Sequence, residues 1–320
     1  MSTAAGTTHT ASTPTPWVQL SGAATAAAVS AAATQLSTRP RAVLSVFDLP
    51  ETDLGFLADL PALHELRIGY SGVRSVQALA HHAQSLQSLT LMLGRHALTV
   101  QDLAELKNLR QLYLSKHGRA AVRDVEQVLP HLHRLEHLVL HGVSVPTLDG
   151  LSALPSLRAL ALKLGTAPQL QALAQLPALR FFEAWQVRGM KDLSALAASS
   201  TLEVLYLESL RHAQLPDFSA AVALQHVQLD NLPLSEGVNG LAAAPQLRQL
   251  SITRRLFELD EVAPLRRHPT LQAAFVSLRG RGVSDRDCQL GLRRPDPAPF
   301  SAYAAGVMGL PDLTEEGAGQ

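Results

Sequence analysis

Residues 109–114 read LRQLYL, with Leu109, Leu112 and Leu114 at fixed offsets. The pattern returns as LHELRI at 63, LQSLTL at 86, LEHLVL at 135, LRALAL at 157 and LRFFEA at 179. It continues as LEVLYL at 202, LQHVQL at 224, LRQLSI at 247 and LQAAFV at 271. Successive copies start 23, 23, 26, 22, 22, 23, 22, 23 and 24 residues apart. A degenerate eleventh copy, RAVLSV, starts at Arg41, 22 residues before Leu63. Self-similarity at such a period marks supersecondary units that stack on one another.

Each copy alternates as Leu-x-Leu, which places every second side chain on one face of a short strand. The connecting stretches VQDLAELKNL (100–109) and VRDVEQVLPHL (122–132) carry apolar residues at three-to-four spacing, which predicts one or two helical turns. One coil of this length cannot bury its own leucines, so it must pack on its neighbours. Pro61, Pro155, Pro177, Pro245 and Pro269 each stand two residues before a strand's first Leu. A strand start tolerates proline because no ladder donor is needed there.

Ten copies in phase resemble the leucine-rich repeat family, in its short bacterial and intracellular class of about 22 residues. The resemblance spans roughly residues 40–282. It implies a right-handed α/β solenoid, a horseshoe with parallel strands on the concave face and short helices on the convex face. It also implies a curved surface for protein partners. One departure stands out. The family usually carries Asn three residues after the last strand Leu, where its side chain bonds the turn backbone. Here those positions hold Ser71, Gly94, His117, Val143, Gly165, Val187, Leu210, Leu232, Arg255 and Arg279. Other groups must therefore satisfy the turns.

Three regions follow. Residues 1–38 hold a Ser/Thr/Ala-rich start, read as disordered over 1–16, and the Ala-rich stretch 17–36, read as a helical cap. Residues 39–282 carry ten to eleven repeats. Residues 283–320 are read as a C-terminal cap and a loose tail.

With the leucines turned inward, three columns of side chains face the hollow. The middle of the arc breaks the pattern: LRFFEAWQV (179–187) brings two Phe, a Glu and a Trp into a chain with only two Trp. Phe182 and Ala184 replace core leucines, whereas Phe181, Glu183 and Trp185 face outward. Neighbouring strands about 4.8 Å apart place Trp185 between Lys163 and Glu208, and Glu183 beside Tyr206, with Asp230 next along the face. Tyr113, His137, His141 and His226 occupy the same columns. Aromatic side chains dominate binding hot spots, and carboxylates beside them suit a cationic guest. The candidate site is therefore this face, and the expected partner is a protein or peptide with a basic anchor residue.

Other chemistry finds little footing. A net charge of zero removes the basic surplus that nucleic-acid binding requires. No apolar run approaches the length needed to insert into a membrane. The single cysteine, Cys288, excludes an intramolecular disulfide and a cysteine-rich metal site. Asp285 and Asp287 flank it, and their charge disfavours the reactive thiolate. His137 and His141 share a strand face but stand roughly 13 Å apart, too far for one ion. Solvated histidines are the expectation there and at His81, His82, His131 and His133. The arginines Arg254, Arg255, Arg266, Arg267, Arg279 and Arg281 form a basic cluster, read as a solvated rim with an anionic partner as the alternative. No catalytic residue, cofactor or metal is expected. An enzyme would have to use Cys288, or a pair such as His226 and Asp230. The reading is a cytoplasmic, non-catalytic adaptor or scaffold. A secreted bacterial effector is the alternative, for which the Ser/Thr-rich uncharged start is the hint, although that start does not match a secretory signal.

Overall fold

A computed structural model describes residues 16–301, apart from 51–52, 95, 119–120 and 235–236. Twelve strands pair in chain order into one open, parallel sheet. They are Trp17–Ser21, Val43–Phe47, Glu65–Ser71, Ser88–Leu93, Gln111–Lys116, His137–His141, Ala159–Lys163, Phe181–Trp185, Val204–Glu208, His226–Asp230, Gln249–Phe257 and Ala273–Leu278. The ten expected strands and the degenerate eleventh are all present. The return path of most coils is a 3-10 or α-helical turn, such as Gln101–Glu105, Val125–Val128 or Gln171–Gln175, whereas the coil between Val204–Glu208 and His226–Asp230 returns without one. The coil between the strands at 111 and 137 places a short side strand, Val122–Arg123, on its return path, where it pairs with Leu98–Thr99 of the coil before it.

The stretch 17–36 corrects the helical-cap expectation. Trp17–Ser21 is the first strand of the sheet, paired in parallel with Val43–Phe47. Only Ala26–Thr38 is helix, begun by the Thr25 hydroxyl accepting the Ala28 N–H. The alternation Trp17-Val18-Gln19-Leu20 carries the strand: Val18 and Leu20 are buried, and their neighbours are exposed. Gly22, with φ +74°, then turns the chain as later coils do, and its N–H reaches the Phe47 carbonyl at 3.1 Å. The helix covers the solenoid end with Val29, Ala32 and Leu36. The disorder expected over residues 1–16 falls almost wholly outside the described residues.

The leucines form a continuous inner lattice. Leu66, Leu89, Leu112, Leu138, Leu160, Phe182, Leu205, Val227, Leu250 and Ala274 follow one another rung by rung, all essentially without solvent contact. Phe182 and Ala184 occupy the two inward positions of their strand. A large residue beside a small one partly offsets the change from two leucines, and both side chains are fully buried.

The turns after the strands answer the missing asparagines. Leu164, Gln186, Ser209, Asn231 and Arg254 have φ between 51° and 59°. Gly142 adopts the same left-handed state without the Cβ penalty. Each turn N–H then donates to a backbone carbonyl one coil further on. The pairs are Gly142 to Lys163 (2.6 Å), Leu164 to Trp185 (2.8 Å), Gln186 to Glu208 (2.9 Å) and Ser209 to Asp230 (2.9 Å). The backbone ladder runs past the strand ends and supplies the acceptors that a side-chain ladder would otherwise provide. Val143, Val187, Leu210 and Leu232 are free to point into the core, and all four are buried.

The last rung is closed by the helical turn Asp285–Cys288, with a capping box between Ser284 and Asp287. Leu290 is buried beneath it. Arg293 then bridges in parallel to Ala273 at the edge of the sheet.

Candidate functional site

The strand register places the displayed residues as the spacing predicts. Trp185 lies opposite Lys163 on one side and Glu208 on the other, and Glu208 lies opposite Asp230. Glu183 pairs with Ala161 and Tyr206, and Phe181 pairs with Ala159 and Val204. His137 and His141 continue the same two rows through Gln111 and Ser115. Trp185 faces the hollow and is half-buried rather than enclosed between sheet and helices.

The floor of the hollow is apolar. Val139, Ala159, Ala161, Phe181 and Val204 form a second, separate buried cluster on the face opposite the leucine lattice, with Tyr113 and Phe300 packed against it. Phe181 retains only 2% of its exposure.

Beside the floor stands a group of rings. The Tyr113 hydroxyl lies 3.2 Å from His141 Nδ1. His141 meets His117 edge-on with 5.9 Å between centroids, and lies 6.2 Å from Trp185. Trp185 Nε1 is out of contact with solvent and has no hydrogen-bond partner among the described residues. Burial holds the His141 pKa below its ordinary value, and the charges of His117 and Lys163 push it the same way. Burial likewise lowers His137 and His226. These imidazoles are therefore neutral near pH 7 and serve as aromatic and hydrogen-bonding surface.

The carboxylates bear on the expected basic anchor. Two of the three already hold a cation, and the third holds a neutral hydroxyl. Glu183 Oε1 holds Lys163 Nζ at 2.9 Å, in a pair that is largely buried. Glu208 accepts the hydrogen bond of the Tyr206 hydroxyl. Asp230 Oδ1 lies 3.2 Å from Nε of the largely exposed Arg254, an ion pair without hydrogen-bond geometry. Tyr206 is held far above the ordinary phenol range, chiefly by burial, then by its bond to Glu208 and the charges of Glu208, Glu183 and Asp230. It stays protonated and acts as a fixed donor.

The reading of His82 as solvated is also corrected. His82 is 3% exposed, not solvated. Its Nδ1 accepts the Leu63 N–H at 3.3 Å and its Nε2 faces the Leu57 carbonyl at 3.0 Å, so it stitches two coils together. A histidine four residues before a strand Leu carried no sequence signal separating this role from a surface one. The basic cluster is partly internally paired: Arg254 with Asp230, Arg255 with Glu261 at 3.8 Å, and Arg279 with Glu258 at 3.7 Å. His226 and Asp230 occupy opposite ends of one strand, roughly 13 Å apart along it, so they form no acid–base pair. Cys288 ends the capping helical turn Asp285–Cys288 and is half-buried there. Among the described residues, no three His, Cys, Asp or Glu side chains are grouped to hold a metal, and no helix is long and apolar enough to cross a membrane.

Phe300 is the residue the spacing analysis missed. It lies outside the repeat, and only the path of the chain brings it over the floor.

No family model matches the sequence, and no curated protein is similar to it in sequence. Solved structures are similar in fold. An internalin, InlF, from Listeria monocytogenes superposes with a TM-score of 0.59 at 20% identity, covering 84% of this chain and 74% of that one. The functional domain of InlJ from the same organism gives a TM-score of 0.52 at 17% identity, covering 73% of this chain and 48% of that one. That domain includes a cysteine ladder, whereas the present chain has a single cysteine. With an open parallel sheet, helical return turns and a leucine lattice at every rung, the chain has the leucine-rich repeat solenoid fold.

Proposed function

We propose that the chain is a non-catalytic recognition module that binds a partner protein or peptide on its hollow face. The observation that carries this reading is the apolar floor around Phe181, set in an otherwise polar face. Parallel-strand stacking needs apolar residues only on the inner side, so an outward apolar cluster is not demanded by the fold. A central apolar patch with Trp and Tyr at its margin has the make-up of a binding hot spot. The neighbouring Glu183–Lys163, Tyr206–Glu208 and Asp230–Arg254 pairs provide fixed donors and acceptors at its rim.

The basic anchor is not retained in this reading. At Glu183 or Asp230 a cation would have to displace Lys163 or Arg254 and would gain little over the pair it broke, and at Glu208 it would meet a carboxylate already accepting the Tyr206 hydroxyl. An apolar or aromatic anchor matches the chemistry of the floor without that exchange.

Affinity purification followed by quantitative mass spectrometry tests the proposal. The wild type is compared with Trp185→Ala/Glu208→Ala and with Glu105→Ala, which alters only the convex face. The expected result is a partner held by the wild type and by Glu105→Ala, and depleted at least about tenfold by the double variant. Identical recovery by all three would refute recognition on this face.

A further inference from the structure

The C-terminal segment does more than close the solenoid. The helical turn Asp285–Cys288, Leu290 and the Arg293–Ala273 bridge already cover the last rung. The chain then turns back over the hollow, against the direction in which the rungs advance. Arg294 places its guanidinium 5.3 Å from the centre of the Phe275 ring, on the last strand. One strand further back, the Asp296 N–H donates to Gln249 Oε1 at 2.8 Å. Asp296 Oδ1 accepts the Ala298 N–H at 2.8 Å, and the Phe300 and Ser301 N–H groups reach the Pro297 carbonyl at 3.0 and 3.1 Å. This helical turn delivers Phe300 to the Tyr206 ring, 6.5 Å between centroids, and onto the floor formed by Phe181, Val204 and their neighbours.

Residues 293–300 thus span the strands that begin at 273, 249, 226 and 204, roughly 14 Å at the spacing of a sheet. Pro295, Pro297 and Pro299 keep the stretch stiff, so less entropy is lost in holding it there. The crossing is sequence-specific as well. Its aromatic residue meets the floor, and its one acidic residue ends beside Gln249 rather than among the face carboxylates.

We infer that residues 294–301 are a built-in occupant of the concave site, with Phe300 as the anchor that a partner must displace. The inference rests on the proposed recognition face and specifies its partner: an extended peptide segment with an aromatic anchor, the chemistry that Phe300 itself presents. A tethered segment faces its site at an effective concentration in the millimolar range, so it suppresses a weaker competitor and yields to a stronger one. The outer side of the crossing is solvent-exposed at Arg294, Asp296 and Ala298, which leaves it free to lift away.

The test uses the full-length chain and a fluorescent synthetic peptide, LRRPDPAPFS, copied from residues 292–301. Fluorescence anisotropy follows its binding to the wild type, to Phe300→Asp and to Phe300→Ala. Both variants vacate the floor, and the milder alanine change guards against loss of folding. The expected result is peptide binding to the variants at least about tenfold tighter than to the wild type. A peptide with alanine in place of its phenylalanine should bind none of them. Equal binding to wild type and variants, or no binding to either variant at millimolar peptide, overturns the inference. Because the probe is the chain's own sequence, that negative result leaves the recognition proposal standing. Conversely, partner retention by Trp185→Ala/Glu208→Ala would sink recognition while leaving the crossing intact.

Discussion

The two faces of one sheet follow different rules. On the inner face a single position reads Leu66, Leu89, Leu112, Leu138, Leu160, Phe182 and Leu205 in succession. One residue further along each strand, the outer face reads Arg67, Thr90, Tyr113, Val139, Ala161, Glu183 and Tyr206. Burial between stacked coils admits one shape and one polarity, and every rung faces the same demand. The outer face bears no such repeat constraint, so its departures from the average carry the information about recognition. The contrast also separates two kinds of aromatic residue. Phe182 fills lattice space, whereas Phe181, next to it in the chain, is buried on the opposite side by the hollow's own floor and the Phe300 segment.

Three substitutions or titrations sharpen this contrast. The largest effect belongs to the lattice. Leu205 is fully buried between Phe182 and Val227. Leu205→Ala should cost about 2–5 kcal/mol in urea denaturation, because the adjoining rungs cannot collapse into the space. A loss under about 1 kcal/mol would mean that the coils are less tightly stacked than the contacts imply. Next comes the outer face. Lys163→Met leaves the Glu183 carboxylate buried without its partner, and should cost about 1–3 kcal/mol. Lys163→Met with Glu183→Gln should recover part of that loss, as the double-mutant cycle would register.

The smallest effect is acid sensitivity. His82, His137, His141 and His226 all have pKa values held below the ordinary imidazole range, with burial the largest cause in each. The unfolded chain therefore binds more protons between those lowered values and about 6.5. Stability is fully present above that upper limit and is lost as pH falls through the window. For His82 the added proton would also occupy Nδ1 and break the bond from the Leu63 N–H, a cost of about 1 kcal/mol. Thermal unfolding measured from about pH 7.5 down to about pH 5.5 should give a falling midpoint, with a shallower slope in His82→Gln. An unchanged slope would assign the sensitivity to the histidines of the hollow face.

Much of this architecture was legible in the sequence, for a physical reason. Repetition multiplies a weak local signal: one Leu-x-Leu is ambiguous, but ten in phase specify strand, register and inward face together. The columns containing Trp185, Lys163 and Glu208 followed directly, since in-register stacking turns a sequence offset into a spatial neighbour. Trp17–Ser21 escaped because its coil lacks the leucine pattern and returns through the helix Ala26–Thr38 in place of a short turn. The charge pairing escaped because offsets give strand neighbours but not the reach and rotamer of Lys163 or Arg254.

The sequence by itself determined the solenoid, its period and which side chains look into the hollow, because those depend on contacts between equivalent positions of adjacent coils. Tertiary structure alone decided that Glu183 and Asp230 are neutralised by Lys163 and Arg254, and that Phe300 returns over Phe181. Those contacts join residues with no periodic relation, and they depend on how a non-repeating segment leaves the last rung.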